Sequence, residues 1–492
     1  MNTQRLSNLK QLFFENISTQ QMIFKNTFWL FFGNTINKIF KFFLIVYAAR
    51  VLGPTNYGVF IYSMSLVGTL FLFSDIGTNG LLVREYQKEG SDNAKLTSTM
   101  IVIRIALWLI TAIISVSIFY FIQDVAVKSI FFWFFLLSSI QHFKEICTNL
   151  ARANNKMQYE GLIIIVDTTL TTLLGLLLLK LTASIYILIM AYIIGAGGGL
   201  IAGVFVTYKY FASLKLFDSS YAKYILSIAW PFAFGSIISV VLLNTDILLL
   251  GILKDKTIVG QYSAGSKIIN VLMLVPMLFS AALFPIFSKY HQEINKLSGI
   301  LQTSLRYIIT LGIPITVGGL LVAPNLLLKF YGDQYMNGIF SFQILLLMIP
   351  FMFVTIVLDH VLFATNYQIR NMIFTAIAAT INLILDIALI PSYSLQGAAM
   401  ATVIAQIINF ALTFRLVKIV LKENFIPLDS VYKSIISTTI MGAVIVITLQ
   451  LKMPILPILI LATLLYFTVL LSIEKNLREM VFGVIKSIRV QD

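Results

Sequence analysis

Fourteen apolar runs, each about the length of one bilayer crossing, follow one another along the chain. They fall at 26–49, 57–81, 97–121, 129–151, 160–180, 183–208, 226–252, 257–287, 303–328, 338–364, 370–391, 396–417, 431–451 and 454–473. A hydrocarbon core takes about 20 apolar residues in helical form. Backbone polar groups in lipid must be satisfied within the spanning structure, and the ten-residue alternation of a membrane barrel is absent, so the runs predict helices. With 59% hydrophobic and 11% charged residues among 492, against about 25% charged in a soluble domain, the chain cannot keep a wetted surface. Soluble enzymes, secreted modules and disordered regulators are excluded. The expected fold class is an all-α integral membrane protein with about 14 transmembrane helices.

The formal charge of +14, from 35 Lys+Arg against 21 Asp+Glu, is scattered among these runs. It therefore reads as topology and not as nucleic-acid binding. With a cytoplasmic N-terminus, 24 basic residues fall on the cytoplasmic side and 7 outside, while Lys38, Lys41, Arg104 and Lys267 lie within spans. That bias predicts both termini inside and a multi-pass protein of the cytoplasmic (inner) membrane; an odd helix count would scramble it. The single cysteine, Cys147, excludes an intrachain disulfide. The first apolar run is too long for a signal peptide, and no small-residue cleavage site follows it.

The polar connection at 209–225 separates six spans (26–208) from six more (226–417). The last two spans (418–473) are expected to be appended, and 1–25 and 474–492 to be cytoplasmic. An internal echo crosses the divide. Val51-Leu52-Gly53-Pro54-Thr55-Asn56-Tyr57-Gly58 resembles the stretch from Ile252-Leu253-Lys254 to Val259-Gly260-Gln261-Tyr262, and Ala153-Asn154-Asn155-Lys156 resembles Ala364-Thr365-Asn366-Tyr367. Each pair holds the same place in its half, as parallel repeats would.

No metal site is expected, because His142, His291 and His360 are scattered without paired ligands. The stretch from Gly260 to Lys267 fails as a phosphate loop, since Lys does not directly follow the second Gly and no strand precedes it. No outer loop is long enough for a catalytic domain, so neither cofactor nor catalytic residues are expected. The chemistry lies instead in the intramembrane polar groups. Asn34, Asn37, Lys38 and Lys41 share one face of the first span, and Ser263, Ser266, Lys267 and Asn270 repeat the pattern in the eighth. A lysine facing lipid at mid-depth costs about 2.5–3.5 kcal/mol, so both stripes should face protein or water. Two such stripes, one per half, suggest walls of a shared cavity. The plainer alternative is that the lysines pin helices together by pairing with Asp75, Asp167, Asp246, Asp359 or Asp386. Arg104 either joins the polar lining or snorkels to the cytoplasmic surface. Arg50 is an interfacial anchor or a gate at the mouth. Cations with amides and hydroxyls suit an anion bearing sugar hydroxyls. Asp246 and Asp359 are candidates for a coupling Na⁺ or H⁺, or else helix-end partners.

The run Ala49-Arg50-Val51-Leu52-Gly53-Pro54-Thr55-Asn56-Tyr57-Gly58, followed by Asp75-Ile76-Gly77 and Val83-Arg84-Glu85, resembles the opening of Wzx-type polysaccharide flippases. These form the polysaccharide-transporter branch of the multidrug/oligosaccharidyl-lipid/polysaccharide (MOP) exporter superfamily. The stretch from Asp246 through Val259-Gly260-Gln261-Tyr262-Ser263-Ala264 and Leu395-Gln396-Gly397-Ala398-Ala399-Met400-Ala401-Thr402 are similar to that branch as well. The resemblance implies two six-helix lobes in a V that open alternately to either side. The implied cargo is an oligosaccharide on polyprenyl pyrophosphate, moved to the outer leaflet for O-antigen, capsule or another exopolysaccharide. Implied partners are membrane lipids, a polysaccharide polymerase and a chain-length regulator, with no nucleic acid. The branch's cationic cavity residues map onto Lys38, Lys41 and Lys267, with Arg50 and Arg104 as further candidates. Two other readings compete. A cation-coupled multidrug exporter would want an acidic cavity, and a membrane polymerase or ligase would want a large outer loop.

Overall fold

Apolar helix formers dominate every span, and the computed structural model of the chain is accordingly helical. It describes residues 19–75, 77–88, 92–210, 215, 217–423, 425–474 and 478–479. Most of the N-terminal segment, part of the 209–225 linker and nearly all of the tail therefore lie outside the described residues. In chain order the helices are α1 (Thr19–Leu70), α2 (Thr78–Tyr86), α3 (Asn93–Phe121), α4 (Val125–Ala153), α5 (Met157–Leu181), α6 (Ile185–Tyr210), α7 (Ser219–Leu253) and α8 (Lys256–Leu272). Then come α9 (Leu274–Lys289), α10 (Ile294–Tyr331), α11 (Ile339–Leu346), α12 (Ile349–Ala364), α13 (Gln368–Leu421), α14 (Leu428–Gln450) and α15 (Ile455–Ile473).

By length and apolarity, ten of the described helices can cross a membrane, or eleven when the pair Asp333–Leu346 and Ile349–Ala364, bent by 46°, counts as one span. The protein is thus a multi-pass membrane protein. The expected fourteen runs diverge from the observed elements chiefly at α1 and α13, which have 52 and 54 residues. Each is more than twice the length one crossing takes. In α1 the break is the single residue Gly53 (φ 72°, ψ 168°), followed by Pro54, and in α13 it is Ser394 (φ 53°). A left-handed residue and a ring without an N–H redirect the chain, so two runs join with no loop between them.

The chain forms two compact units, residues 1–263 and 264–492. That division falls inside α8, not in the linker, so α7 groups with the helices before it. In the first unit α1 crosses α5 where Gly33 meets Gly161, and a Cβ on Gly33 would lie 3.1 Å from the Gly161 Cα. The starts of α3 and α7 are clasped crosswise. Lys95 reaches Asp218 at 2.5 Å, and Lys215 reaches Asp92 at 2.7 Å. Each aspartate also caps its own helix, and Lys95 holds the Asp218 carboxyl down to about 2. In the second unit α14 and α15 are integral to the core. Met441, Ile445, Ile458, Ala462 and Tyr466 bury against Val322 of α10, and the Tyr466 hydroxyl donates to the Thr310 carbonyl at 2.6 Å.

One echo becomes a matched pair of turns. After α4, Asn155 is left-handed (φ 53°) and Lys156 N–H donates to the Ala151 carbonyl at 3.0 Å. After α12, Asn366 is left-handed (φ 63°) and Tyr367 N–H donates to the Leu362 carbonyl at 2.8 Å. Both are helix ends closed by an asparagine in the left-handed conformation, which asparagine tolerates better than most side chains.

Candidate functional site

The cation face of α1 meets a carboxylate. Lys41 Nζ lies 3.6 Å from Asp167 Oδ1 on α5, and Lys144 of α4 donates to Asp167 Oδ2. Thr171, one turn along α5, donates to Oδ1 at 3.1 Å, and the Tyr192 ring of α6 lies 5.7 Å from Lys41 Nζ. The Asp167 side chain is 4% exposed, Lys144 12% and Lys41 22%, so Lys41 is the outermost member. Two lysines on one carboxylate leave a net single positive charge. The triad closes because α6 presents glycine where it passes α5. A Cβ on Gly195 would lie 1.9 Å from Thr171 Oγ1, and one on Gly199 would lie 3.0 Å from Asp167 Cβ and 3.1 Å from Lys144 Cδ. Small residues of this kind let membrane helices approach closely enough for side chains to bond across them.

The remaining stripe residues are placed as follows. Asn34 is exposed and donates to the Leu30 carbonyl of its own helix at 2.8 Å. Asn37 is half-buried, while Lys38 and Arg50 are exposed. In α8, Ser263 is buried, Ser266 and Lys267 are half-buried and Asn270 is exposed. Asp246 accepts a hydrogen bond from the Tyr262 hydroxyl, and Asp359 accepts one from Asn371 at 3.0 Å.

Arg104 is surrounded by different partners. It is 2% exposed and donates to Asn79 Oδ1, to His142 Nδ1 at 3.0 Å and to Glu145 at 3.5 Å. Arginine only donates, so Nδ1 of His142 accepts, and the ring proton sits on Nε2, 3.4 Å from the Arg104 carbonyl. Ser74 Oγ, which donates to the Phe71 carbonyl at 2.7 Å, lies 3.0 Å from the same Nδ1. Asn79 also donates to Asp75 at 2.6 Å and to Glu145 at 3.0 Å. Asp75 in turn accepts from Thr78 and from the Asn79 N–H at the start of α2. The Asp75 and Glu85 of the opening motif are thus structural joints. Glu85 is buried against Arg84 and Lys88.

A profile of the family described as "Polysaccharide biosynthesis protein" matches residues 23–291, more than half the chain. The chain belongs to that family. A second profile, MatE, matches residues 231–388. Among curated proteins, "Probable low-salt glycan biosynthesis flippase Agl15" of Haloferax volcanii is 23% identical over 395 residues, covering 78% of this chain and 81% of that protein. "Capsular polysaccharide biosynthesis protein CapF" of Staphylococcus aureus is 21% identical over 399 residues, covering 78% and 96%. Among solved structures, "Lipid II flippase MurJ, inward closed conformation" superposes with a TM-score of 0.76 at 18% identity, covering 91% of this chain and 99% of that one. The fold is that of the MOP exporters.

In this polysaccharide biosynthesis protein the matched segment contains every lysine discussed above. The sequence does not single out Lys144 and Tyr192 as site residues; Lys144 counts there among the 24 basic residues of the cytoplasmic side. The signal that points to them is the glycine cluster at 195 and 197–199, since glycine on a membrane helix marks a close neighbour.

Proposed function

We propose that this protein is a flippase that moves a polyprenyl-pyrophosphate-linked oligosaccharide from the cytoplasmic to the outer leaflet by alternating access, without covalent chemistry. The product would feed O-antigen, capsule or other surface polysaccharide, alongside a polymerase and a chain-length regulator. It would sit in the cytoplasmic membrane with fourteen crossings and both termini inside. The observation that carries this reading is Lys41. It is an intramembrane cation in a triad of net positive charge, on a chain of a polysaccharide biosynthesis family. Intramembrane ionisable groups mark substrate paths, and lysine serves phosphate as a point charge.

In this reading Lys38, Lys41 and Lys267 attract the pyrophosphate. Asn34, Asn37, Ser263, Ser266 and Asn270 exchange hydrogen bonds with sugar hydroxyls, Arg50 guards the outer end of its helix segment, and Asp246 and Asp359 are the places for a coupling ion. Arg104 drops out of the substrate set, because its guanidinium is committed to Asn79, His142 and Glu145 at 2% exposure. In a strain lacking the chromosomal copy, Lys41→Gln should lower surface polysaccharide at unchanged membrane abundance of the protein, and Lys41→Arg should retain more export. Lys38→Gln and Lys267→Gln should behave alike. Normal export per molecule in all three Gln variants would overturn the reading.

A further inference from the structure

The proposed flippase needs Lys41 to meet an anion, yet the nearest group to Lys41 Nζ on an acidic residue is Asp167, at 3.6 Å. A lysine held by a carboxylate is a neutral pair and attracts pyrophosphate weakly. The geometry around Asp167 resolves this. Lys144 takes the other carboxylate oxygen, Oδ2, within hydrogen-bond distance, whereas Lys41 stands off Oδ1 beyond hydrogen-bond length. Thr171 donates to Oδ1 at 3.1 Å, sharing the oxygen that faces Lys41. The carboxylate is thus answered from the Lys144 side and from its own helix. Exposure runs the same way, with Lys144 at 12%, Asp167 at 4% and Lys41 at 22%. The surplus charge of the triad sits on its most accessible member.

We infer that Lys144 is a positioning residue for transport: by neutralising Asp167 it keeps the charge of Lys41 available to the pyrophosphate of the cargo. This rests on the flippase reading above. Its signature is a charge sum. The wild-type triad carries one net positive charge. Lys144→Met leaves Lys41 and Asp167 as a neutral pair, with no carboxylate left unpartnered, so the fold has a partner for the buried charge. Lys144→Met with Asp167→Asn returns the sum to one positive charge, carried by Lys41.

The test measures surface polysaccharide per molecule of membrane protein in the deletion strain, and the binding of inorganic pyrophosphate to the detergent-purified full chain by calorimetry. Lys144→Met should lower export and pyrophosphate affinity by about tenfold, equivalent to about 1.4 kcal/mol. Lys144→Arg should keep most of both. The double variant Lys144→Met/Asp167→Asn should recover export and binding relative to Lys144→Met alone. A bridge that merely ties α4 to α5 would instead lower membrane abundance and thermal midpoint in Lys144→Met, with export per molecule and pyrophosphate affinity unchanged. Full export by Lys144→Met, or no recovery in the double variant, overturns the inference. Lys41→Gln separates this from the underlying reading. Loss of export in Lys41→Gln with full export in Lys144→Met defeats the role of Lys144 alone, whereas full export in Lys41→Gln defeats the cationic site itself.

Discussion

Arg104 and Lys41 are both basic residues inside apolar helices, and their surroundings divide their roles. Arg104 has three acceptors on α2 and α4, including a histidine nitrogen that must accept from it. Among the described residues, Lys41 pairs with one carboxylate, at 3.6 Å, that a second lysine holds more closely. Arg104→Met removes the charged donor from His142 Nδ1 and from Asn79 Oδ1, which keeps only the Asn149 amide, and hydrogen bonds to a charged group contribute about 1.5–3 kcal/mol each. The expected outcome is lower membrane abundance and a lower thermal midpoint in detergent, with near-normal export per surviving molecule. That is the reverse of the Lys41→Gln pattern, and a normal midpoint for Arg104→Met with export lost would return Arg104 to the substrate path. The sequence alone shows both as intramembrane cations and stops there. Their partners sit 25 to 126 positions away along the chain, and which of the candidate carboxylates meets Lys41 depends on where helices cross. Local pattern carries no trace of that.

Helix identity in this chain is legible because apolar runs of spanning length leave the backbone one way to satisfy itself. Helix ends are legible only where a special residue stands. Asn155 and Asn366 mark two matching turns. Ser394, a left-handed serine inside α13, carries no comparable mark and lies between two runs that the sequence separates. Contacts between helices follow the glycines. At Gly195 a Cβ would lie 1.9 Å from Thr171 Oγ1 and 2.8 Å from the backbone oxygen of Asp167, so the clash cannot be relieved by turning one side chain. Gly68, also helical, has nothing within 4 Å of the same construction. Gly195→Ala should therefore destabilise by about 1–3 kcal/mol, the usual cost of overpacking. Gly68→Ala should be neutral or slightly stabilising, since alanine is the better helix former. Thermal unfolding of the two purified variants compares them directly. Equal midpoints would mean that α6 and α5 pack less closely than these distances require.

At the scale of the whole first unit, three ion pairs join residues that the charge count places on one side of the membrane. Lys95 and Lys215 pair with Asp218 and Asp92, and Lys256 lies 3.5 Å from Asp124. The neighbourhood of Lys256 has a further property. Thr55 Oγ1 lies 2.8 Å from Thr257 Oγ1, a Cβ on Gly58 would fall 1.7 Å from the Lys256 carbonyl, and one on Gly260 would fall 2.0 Å from the Pro54 carbonyl. Thr55 with Thr257, Gly58 with Gly260 and Pro54 with Lys256 are each 202 positions apart. The two echoing turns therefore meet face to face and exchange equivalent contacts, as self-complementary surfaces do. Contact this close depends on glycine at both positions, and it joins the first turn after Gly53 to the first turn of α8. If the flippase opens to the outer side, these turns must part in every cycle. In a Cys147→Ala background, Thr55→Cys with Thr257→Cys should cross-link on oxidation, because the native hydroxyls already touch. The linked protein should stop delivering polysaccharide to the surface and should resume when a reductant breaks the bond. Each single cysteine should export normally under both conditions. A cross-link verified by gel shift that leaves export at full rate would show that the cargo passes without these turns separating.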